Sequence, residues 1–404
     1  MIFTTTALPL VVLLLVLASF VAVIVGRVRI PYTVALVVVG SILGALNLLP
    51  ATALSPDLVL GLLLPPLLFE AAFSLRWSHL APVAFPITIL ATVGVALSAA
   101  VSAGVLVFAT GLPWSFALLF GILVAATDPV AVVAFFHRSL VAPSLRALVE
   151  GESLLNDGTA VVLVGVLGSF AASGQLDPVA AVRDFFWIAI GGLLVGGVVG
   201  LAGSALAHGT SDYLVEATVS VSTAYGSYLI GEQLHVSGVL AVVGAGSVFG
   251  NFGRRFGLSE QTEETIDLLW RFLAFVANSL VFLLLGSAVV PGALLRLGPL
   301  IGLGVVATLL GRAVVAYGLG AVVSTVTQSL PRSSRHVLFW GGLRGALPVV
   351  IAIAITERLH LAPQFQDLVL SVVVVTLLVQ GLTLESVLGR VLGSPARFRA
   401  DPRT

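Results

Sequence analysis

The sequence predicts an all-α polytopic membrane protein, and three observations carry that reading. Only 9% of the 404 residues are charged, 19 basic against 19 acidic, where a soluble domain carries about 25%. The hydrophobic fraction is 58% and the mean hydropathy +1.14, so too few polar side chains exist to cover a water-exposed globule. The apolar residues also fall into runs of spanning length, since a helix needs about 20 of them to cross about 30 Å of hydrocarbon. A soluble enzyme, a disordered chain and a nucleic-acid binder with a basic patch are excluded. Cysteine is absent, which removes disulfides, thiolate chemistry and cysteine metal sites; no cofactor is expected. The natural setting is the lipid bilayer.

Thirteen candidate spans follow in order, each bounded by polar residues or by Pro and Gly. Spans 1 to 3 cover about 6–26, 30–49 and 56–74. Met1-Ile-Phe-Thr-Thr-Thr lacks the basic start of a cleaved signal peptide, so span 1 is expected to be retained. Spans 4 to 7 cover about 82–109, 114–136, 145–172 and 181–207; in span 7 the row Gly192, Gly196, Gly200 suits close helix packing. Spans 8 to 10 cover about 213–230, 234–250 and 268–290. Between the last two lies the only sizeable polar connection, 251–267, where Arg254, Arg255, Glu260, Glu263, Glu264 and Asp267 predict a water-facing segment. Spans 11 to 13 cover about 297–325, 336–356 and 364–390, followed by a short basic tail with no soluble regulatory domain expected.

Arginine placement orients the set. The side reached after odd-numbered spans holds thirteen: Arg27, Arg29, Arg76, Arg138, Arg146, Arg254, Arg255, Arg332, Arg335, Arg390, Arg397, Arg399 and Arg403. The opposite side holds three, Arg183, Arg296 and Arg358. This positive-inside asymmetry predicts an outside N-terminus and a cytoplasmic C-terminus.

Ionisable residues near the bilayer centre cost about 2.5–3.5 kcal/mol each and are functional candidates by default. Span 3 carries Glu70 after Pro65-Pro66, span 5 carries Thr127-Asp128-Pro129, and span 6 carries Glu152, Ser153, Asn156 and Asp157. Spans 11 and 12 add Arg312 and Arg344. At about 1.5 Å per residue, Asp157 lies about 18 Å into its span and Asp128 about 21 Å in from the other side, so both reach similar depth. On span 6, Ser153 and Asp157 share one face and Glu152 and Asn156 the adjoining one, each pair four residues apart. Pro129 frees a carbonyl three or four residues upstream, tolerated in lipid only where it lines a polar cavity. Span 12 has a comparable break in Gly341-Gly342-Leu343-Arg344-Gly345-Ala346-Leu347-Pro348. Spans 5 and 12 are seven apart, which predicts two inverted six-span repeats joined by span 7, with the transport site at the matching breaks.

Oxygen ligands without a His or Cys cluster suit a hard cation such as Na⁺, Li⁺ or K⁺, and ligand type alone leaves a divalent ion open. A carboxylate also binds a proton. One buried aspartate holds a cation or a proton but both together only weakly, which suffices for exchange when access alternates between the two sides. Glu152, Arg312 and Arg344 are read as structural charges, and Asp128 equally suits the helix dipoles at the break. The six histidines fall at span ends or in connections, as solvated groups.

The segments Ala126-Thr127-Asp128-Pro129-Val130-Ala131-Val132, Glu152-Ser153-Leu154-Leu155-Asn156-Asp157-Gly158 and Gly342-Leu343-Arg344-Gly345-Ala346 together resemble the monovalent cation:proton antiporter-1 family, which includes prokaryotic NhaP-type and animal NHE exchangers. The resemblance covers essentially the whole chain. It implies a homodimer, with a dimerisation domain (spans 1–3 and 7–10, about 6–74 and 181–290) and a moving core (spans 4–6 and 11–13, about 82–172 and 297–390) in which spans 5 and 12 cross as unwound helices. It implies Asp157 as the ion-binding aspartate, with Ser153, Thr127, Asp128 and Glu70 around the ion. It further implies a Glu152–Arg312 pair, and an electroneutral exchange signalled by Asn156. The long regulatory tail of many relatives is missing from this sequence. The expectation is therefore a Na⁺/H⁺ antiporter, not an enzyme, in a prokaryotic plasma membrane. A K⁺/H⁺ exchanger shares the same site, and a cation channel would need the continuous multi-ion path that the sequence lacks.

Overall fold

The computed structural model describes residues 7–27, 30–49, 54–137, 139, 141–173, 177–210, 212–256, 260–327 and 330–392. Arg29, Arg138 and the basic tail with Arg397, Arg399 and Arg403 lie outside them. Among the described residues the fold is all-helical, with no strand beyond a single isolated bridge. The apolar runs become helices because a chain in lipid must satisfy its backbone groups within the segment.

In chain order these are α1 (Ala7–Val25), α2 (Tyr32–Ala45), α3 (Pro56–Ser74), α4 (Trp77–Thr110), α5 (Trp114–Leu123), α6 (Val130–His137), α7 (Pro143–Ser173) and α8 (Pro178–His208). They continue with α9 (Tyr213–Gln233), α10 (Gly238–Gly253), α11 (Glu260–Ser287), α12 (Gly298–Thr327), α13 (Arg332–Trp340), α14 (Leu347–Arg358) and α15 (Gln364–Val391). Six of them, α3, α4, α8, the Glu263–Ser287 part of α11, α12 and α15, are long and apolar enough to cross a membrane.

Small residues set the packing. Gly40 and Gly44 of α2 lie against Leu283, Gly286 and Ser287 of α11, where a Cβ on Gly44 would meet the Ser287 Cα at 2.8 Å. The same spacing recurs in α10, where Gly246 and Gly250 lie against Phe69 and Phe73 of α3, and a Cβ on Gly250 would meet the Phe73 Cα at 2.7 Å. The span 7 row does what its spacing predicts: Gly192, Gly196 and Gly200 face Ser237, Ala241 and Ala245.

The break at Pro66 is compensated by a side chain from another helix. Pro66 leaves the Leu62 carbonyl without its helical donor, and the Tyr225 hydroxyl donates to it at 2.9 Å. The expected connection 251–267 is largely helical, with Arg255 and Glu264 exposed. Helix continues through Phe256 and resumes at Glu260, ahead of the expected span, because acidic residues favour the positive end of a helix. Arg254 is drawn inward: it pairs with Glu263 at 2.9 Å and with Asp267, and lies 4.3 Å from the centre of the Phe73 ring.

Candidate functional site

Span 5 breaks after Leu123 and restarts at Val130; span 12 breaks after Trp340 and restarts at Leu347. Pro129 has no N–H and disfavours helix at the residue before it. Pro348 sits in the first turn of α14, where a missing N–H costs nothing. The two breaks meet: the Asp128 N–H donates to the Leu343 carbonyl at 2.7 Å, forming the isolated antiparallel bridge.

Each freed backbone group has an answer. Pro129 leaves the Ala125 carbonyl without its helical donor, the Val130 N–H that would serve Ala126 goes to Asp128 instead, and the Arg344 guanidinium donates to both carbonyls, at 2.9 and 3.2 Å. Arg344 therefore neutralises the negative end of α5. Asp128 does the converse at α6, its Oδ1 accepting the Val130 N–H at 2.8 Å. Gly345 lets that carboxyl sit close, since a Cβ there would be 2.9 Å from the Asp128 Cβ.

One face of α7 is closed. Arg312 of α12 grips Glu152 through both guanidinium nitrogens, at 2.7 and 2.9 Å, and donates its Nε to the Leu338 carbonyl at 3.0 Å. Gly342 is required beneath it, because a Cβ there would lie 2.6 Å from that Nε. Asn156 donates to the Thr127 Oγ1 at 2.7 Å and to Glu152 at 3.3 Å, and accepts the Thr127 N–H at 3.3 Å. Ser153 donates to the Thr127 carbonyl and lies 3.3 Å from its hydroxyl. Thr127 is thereby clamped and buried.

The adjoining face is open. Asp157, Ser153, Asp128 and Glu70 line one cavity of 1010 Å³ together with Gly345 and Ala346 of the second break. Thr127 stands behind that wall, not on it. The Asp157 carboxylate has no hydrogen-bond partner among the described residues, and Asp128 and Glu152 are near enough to act on it electrostatically. Glu152 is already neutralised by Arg312, so the deep end of the cavity is negative and suits a cation. Glu70 accepts from Ser74 at 3.3 Å and sits within electrostatic reach of Glu150, Arg271 and Arg146.

The chain aligns with known proteins along its length. A family model described as "Sodium/hydrogen exchanger, transmembrane" matches residues 12–390. The chain belongs to the sodium/hydrogen exchanger family. It is thus a multi-pass membrane protein of the antiporter-1 group that the three motifs resemble. Among relatives of this exchanger-family chain, the Na⁺/H⁺ antiporter ApNhaP of Aphanothece halophytica is 39% identical over 375 residues, covering 92% of this chain and 72% of the relative. The low-affinity Na⁺/H⁺ antiporter NhaS1 of Synechocystis is 37% identical over 368 residues, 89% of this chain and 69% of that one. The fold matches the sodium proton antiporter MjNhaP1 of Methanocaldococcus jannaschii with a TM-score of 0.80 at 20% identity, over 98% of this chain and 99% of that structure.

The structure brings together every residue singled out from the sequence, in two groups. Asp157, Ser153, Asp128, Glu70 and Pro129 reach the cavity, while Asn156, Glu152, Arg312, Thr127, Arg344 and Pro348 build the frame behind it. Among the wall residues that sequence reasoning did not assign to the site are Arg146 and Glu150, paired at 2.7 Å, and Arg271 and Asn278 of α11. The signal for the first two was on the page, since 146, 150, 153 and 157 repeat every three or four residues and form one stripe of α7.

Proposed function

We propose that this chain is a secondary-active Na⁺/H⁺ antiporter in which Na⁺ and H⁺ compete for Asp157. The observation that carries the reading is the contrast at that residue: a carboxylate with no hydrogen-bond partner among the described residues on the wall of the cavity, beside two broken helices whose Arg344 and Asp128 serve freed backbone groups. Ser153, Asp128 and Glu70 supply further oxygens along the approach, and Thr127 holds Ser153 in place. With a proton on Asp157 the deep site is neutral; with sodium it is neutral again. Either form therefore crosses without a net buried charge, while the empty carboxylate is held back by its desolvation cost. That asymmetry couples the two fluxes and makes the exchange one for one. Asn156, held neutral between Thr127 and Glu152, adds no second titrating charge, which favours electroneutral transport.

The transporter comprises thirteen spans in two inverted repeats, with the N-terminus outside, the C-terminus cytoplasmic and the cavity opening on the arginine-rich side. The recurrence of the Gly-x-x-x-Gly contact in α2 and α10 supports equivalence of spans 2 and 9. Spans 1–3 and 7–10 form the dimerisation scaffold of a homodimer and spans 4–6 and 11–13 the moving core. The names of the relatives favour sodium, and their bacterial sources a prokaryotic plasma membrane.

Exchange in proteoliposomes with an internal pH dye tests the reading. Added Na⁺ or Li⁺ should move protons in the wild type, indifferent to a clamped or released membrane potential, and move none in Asp157→Asn. A response to K⁺ alone would keep the mechanism and change the cargo. Sodium flux without proton counter-movement would overturn antiport.

A further inference from the structure

Two helices face each other across the cavity with their polar residues in step. On α7 the stripe is Arg146, Glu150, Ser153 and Asp157; on α11 it is Asp267, Arg271 and Asn278. Both helices run inward from the cavity mouth. Arg254 joins Phe73 to Asp267, and the Trp270 ring packs at a tilt 4.3 Å from that of Phe69, so α11 descends as α3 rises. On α7, Gly151 lies beside Leu80 near the mouth and Gly158 beside Leu240 at the inner end of α10. Glu70 lines the cavity with Glu150 on one helix and Arg271 on the other and lies within electrostatic reach of both, so the two stand at similar depth. Seven residues further in, two turns or about 10.5 Å, α7 presents Asp157 and α11 presents Asn278.

Asn278 is 7% exposed, lines the cavity, and has no hydrogen-bond partner among the described residues. Its neighbour Ser279 is occupied by the Tyr32 hydroxyl at 2.8 Å, so the amide is not part of that contact. Facing the cavity, that amide is free to bind water or a ligand there. The amide oxygen is a hard donor of the kind that replaces water around an alkali cation.

We propose that Asn278 is a cation-positioning residue: from the wall opposite Asp157, its side-chain oxygen takes the place of a hydration water as the cation loads. This rests on the exchange reading above. Because α11 belongs to the scaffold and α7 to the core, the contact exists only while the cavity is open, so it tunes cation affinity on that side alone.

The test is Asn278→Leu, similar in size but without the oxygen, beside Asn278→Asp, which keeps one. In oriented proteoliposomes, the KM for Na⁺ on the cavity side should rise about tenfold in Asn278→Leu, as expected for one lost contact to a charged group. Vmax and the KM on the opposite side should stay at wild type, and Asn278→Asp should restore the cavity-side KM. A KM raised equally on both sides, or a loss of Vmax and thermal stability with KM unchanged, would overturn the role. The sodium concentration needed for half-maximal thermal stabilisation of the purified protein reads the same contact without transport. A rightward shift there in Asn278→Leu supports the contact even where the wild type fails to exchange, and that failure would count against the antiport reading alone.

Discussion

Two faces of α7, one residue apart, have opposite fates. Glu152 and Asn156 point into a closed frame where every polar group named above is spent: Glu152 on both nitrogens of Arg312, Asn156 on Thr127 and Glu152. Ser153 and Asp157 point into the cavity, and Asp157 has no hydrogen-bond partner among the described residues. The same helix carries carboxylates at similar cost to the membrane. What distinguishes them is whether a protein cation is built in. Glu152 has a resident arginine; Asp157 has none among the described residues, which on the proposed reading leaves it to an exchangeable cation.

The sharpest way to break the comparison is to open the closed face. Glu152→Gln leaves the Arg312 guanidinium buried without its counter-charge, and losing one partner of such a pair costs about 3–5 kcal/mol. Thermal unfolding of the purified protein should show a large drop, and Arg312→Leu added to Glu152→Leu should recover part of it. A wild-type midpoint in Glu152→Gln would remove the distinction between the faces. A smaller disturbance reaches the same frame through the backbone. Gly342→Ala places a Cβ 2.6 Å from the Arg312 Nε, and overpacking of this kind costs about 1–3 kcal/mol. Its unfolding midpoint should fall between those of Glu152→Gln and the wild type. The smallest effect belongs to a compensation away from both faces. Tyr225→Phe removes the donor to the Leu62 carbonyl that Pro66 leaves open, worth about 0.5–1.5 kcal/mol, with exchange unchanged. A loss of exchange in Tyr225→Phe would mean that the scaffold side couples to the site more tightly than these contacts imply.

Helices were legible in the sequence because apolar run length is a local property, and so were the two breaks, since Asp128-Pro129 and the glycines before Pro348 act on their own backbone. The spacing of Ser153 with Asp157, and of Glu152 with Asn156, gave the two faces of α7 correctly. Which face would be closed was not readable from spacing. The answer came from Arg312, 160 residues away in sequence; reading both as structural interior charges pointed towards it, and the family resemblance named the pair. The start of α11 was misplaced for a related reason: its acidic residues look like a water-facing loop until Arg254, from the end of the preceding helix, folds back onto them. Asn278 was invisible because a lone amide in an apolar run gives no signal until α7 and α11 line one cavity.

The most direct measurement mixes Na⁺ with the detergent-purified protein in weakly buffered solution and counts protons released. Competition at Asp157 predicts sodium-dependent proton release in the wild type, saturating near one proton per protomer, and none in a folded Asp157→Asn. Sodium-dependent release that persists in Asp157→Asn would contradict the assignment of exchange to that carboxylate.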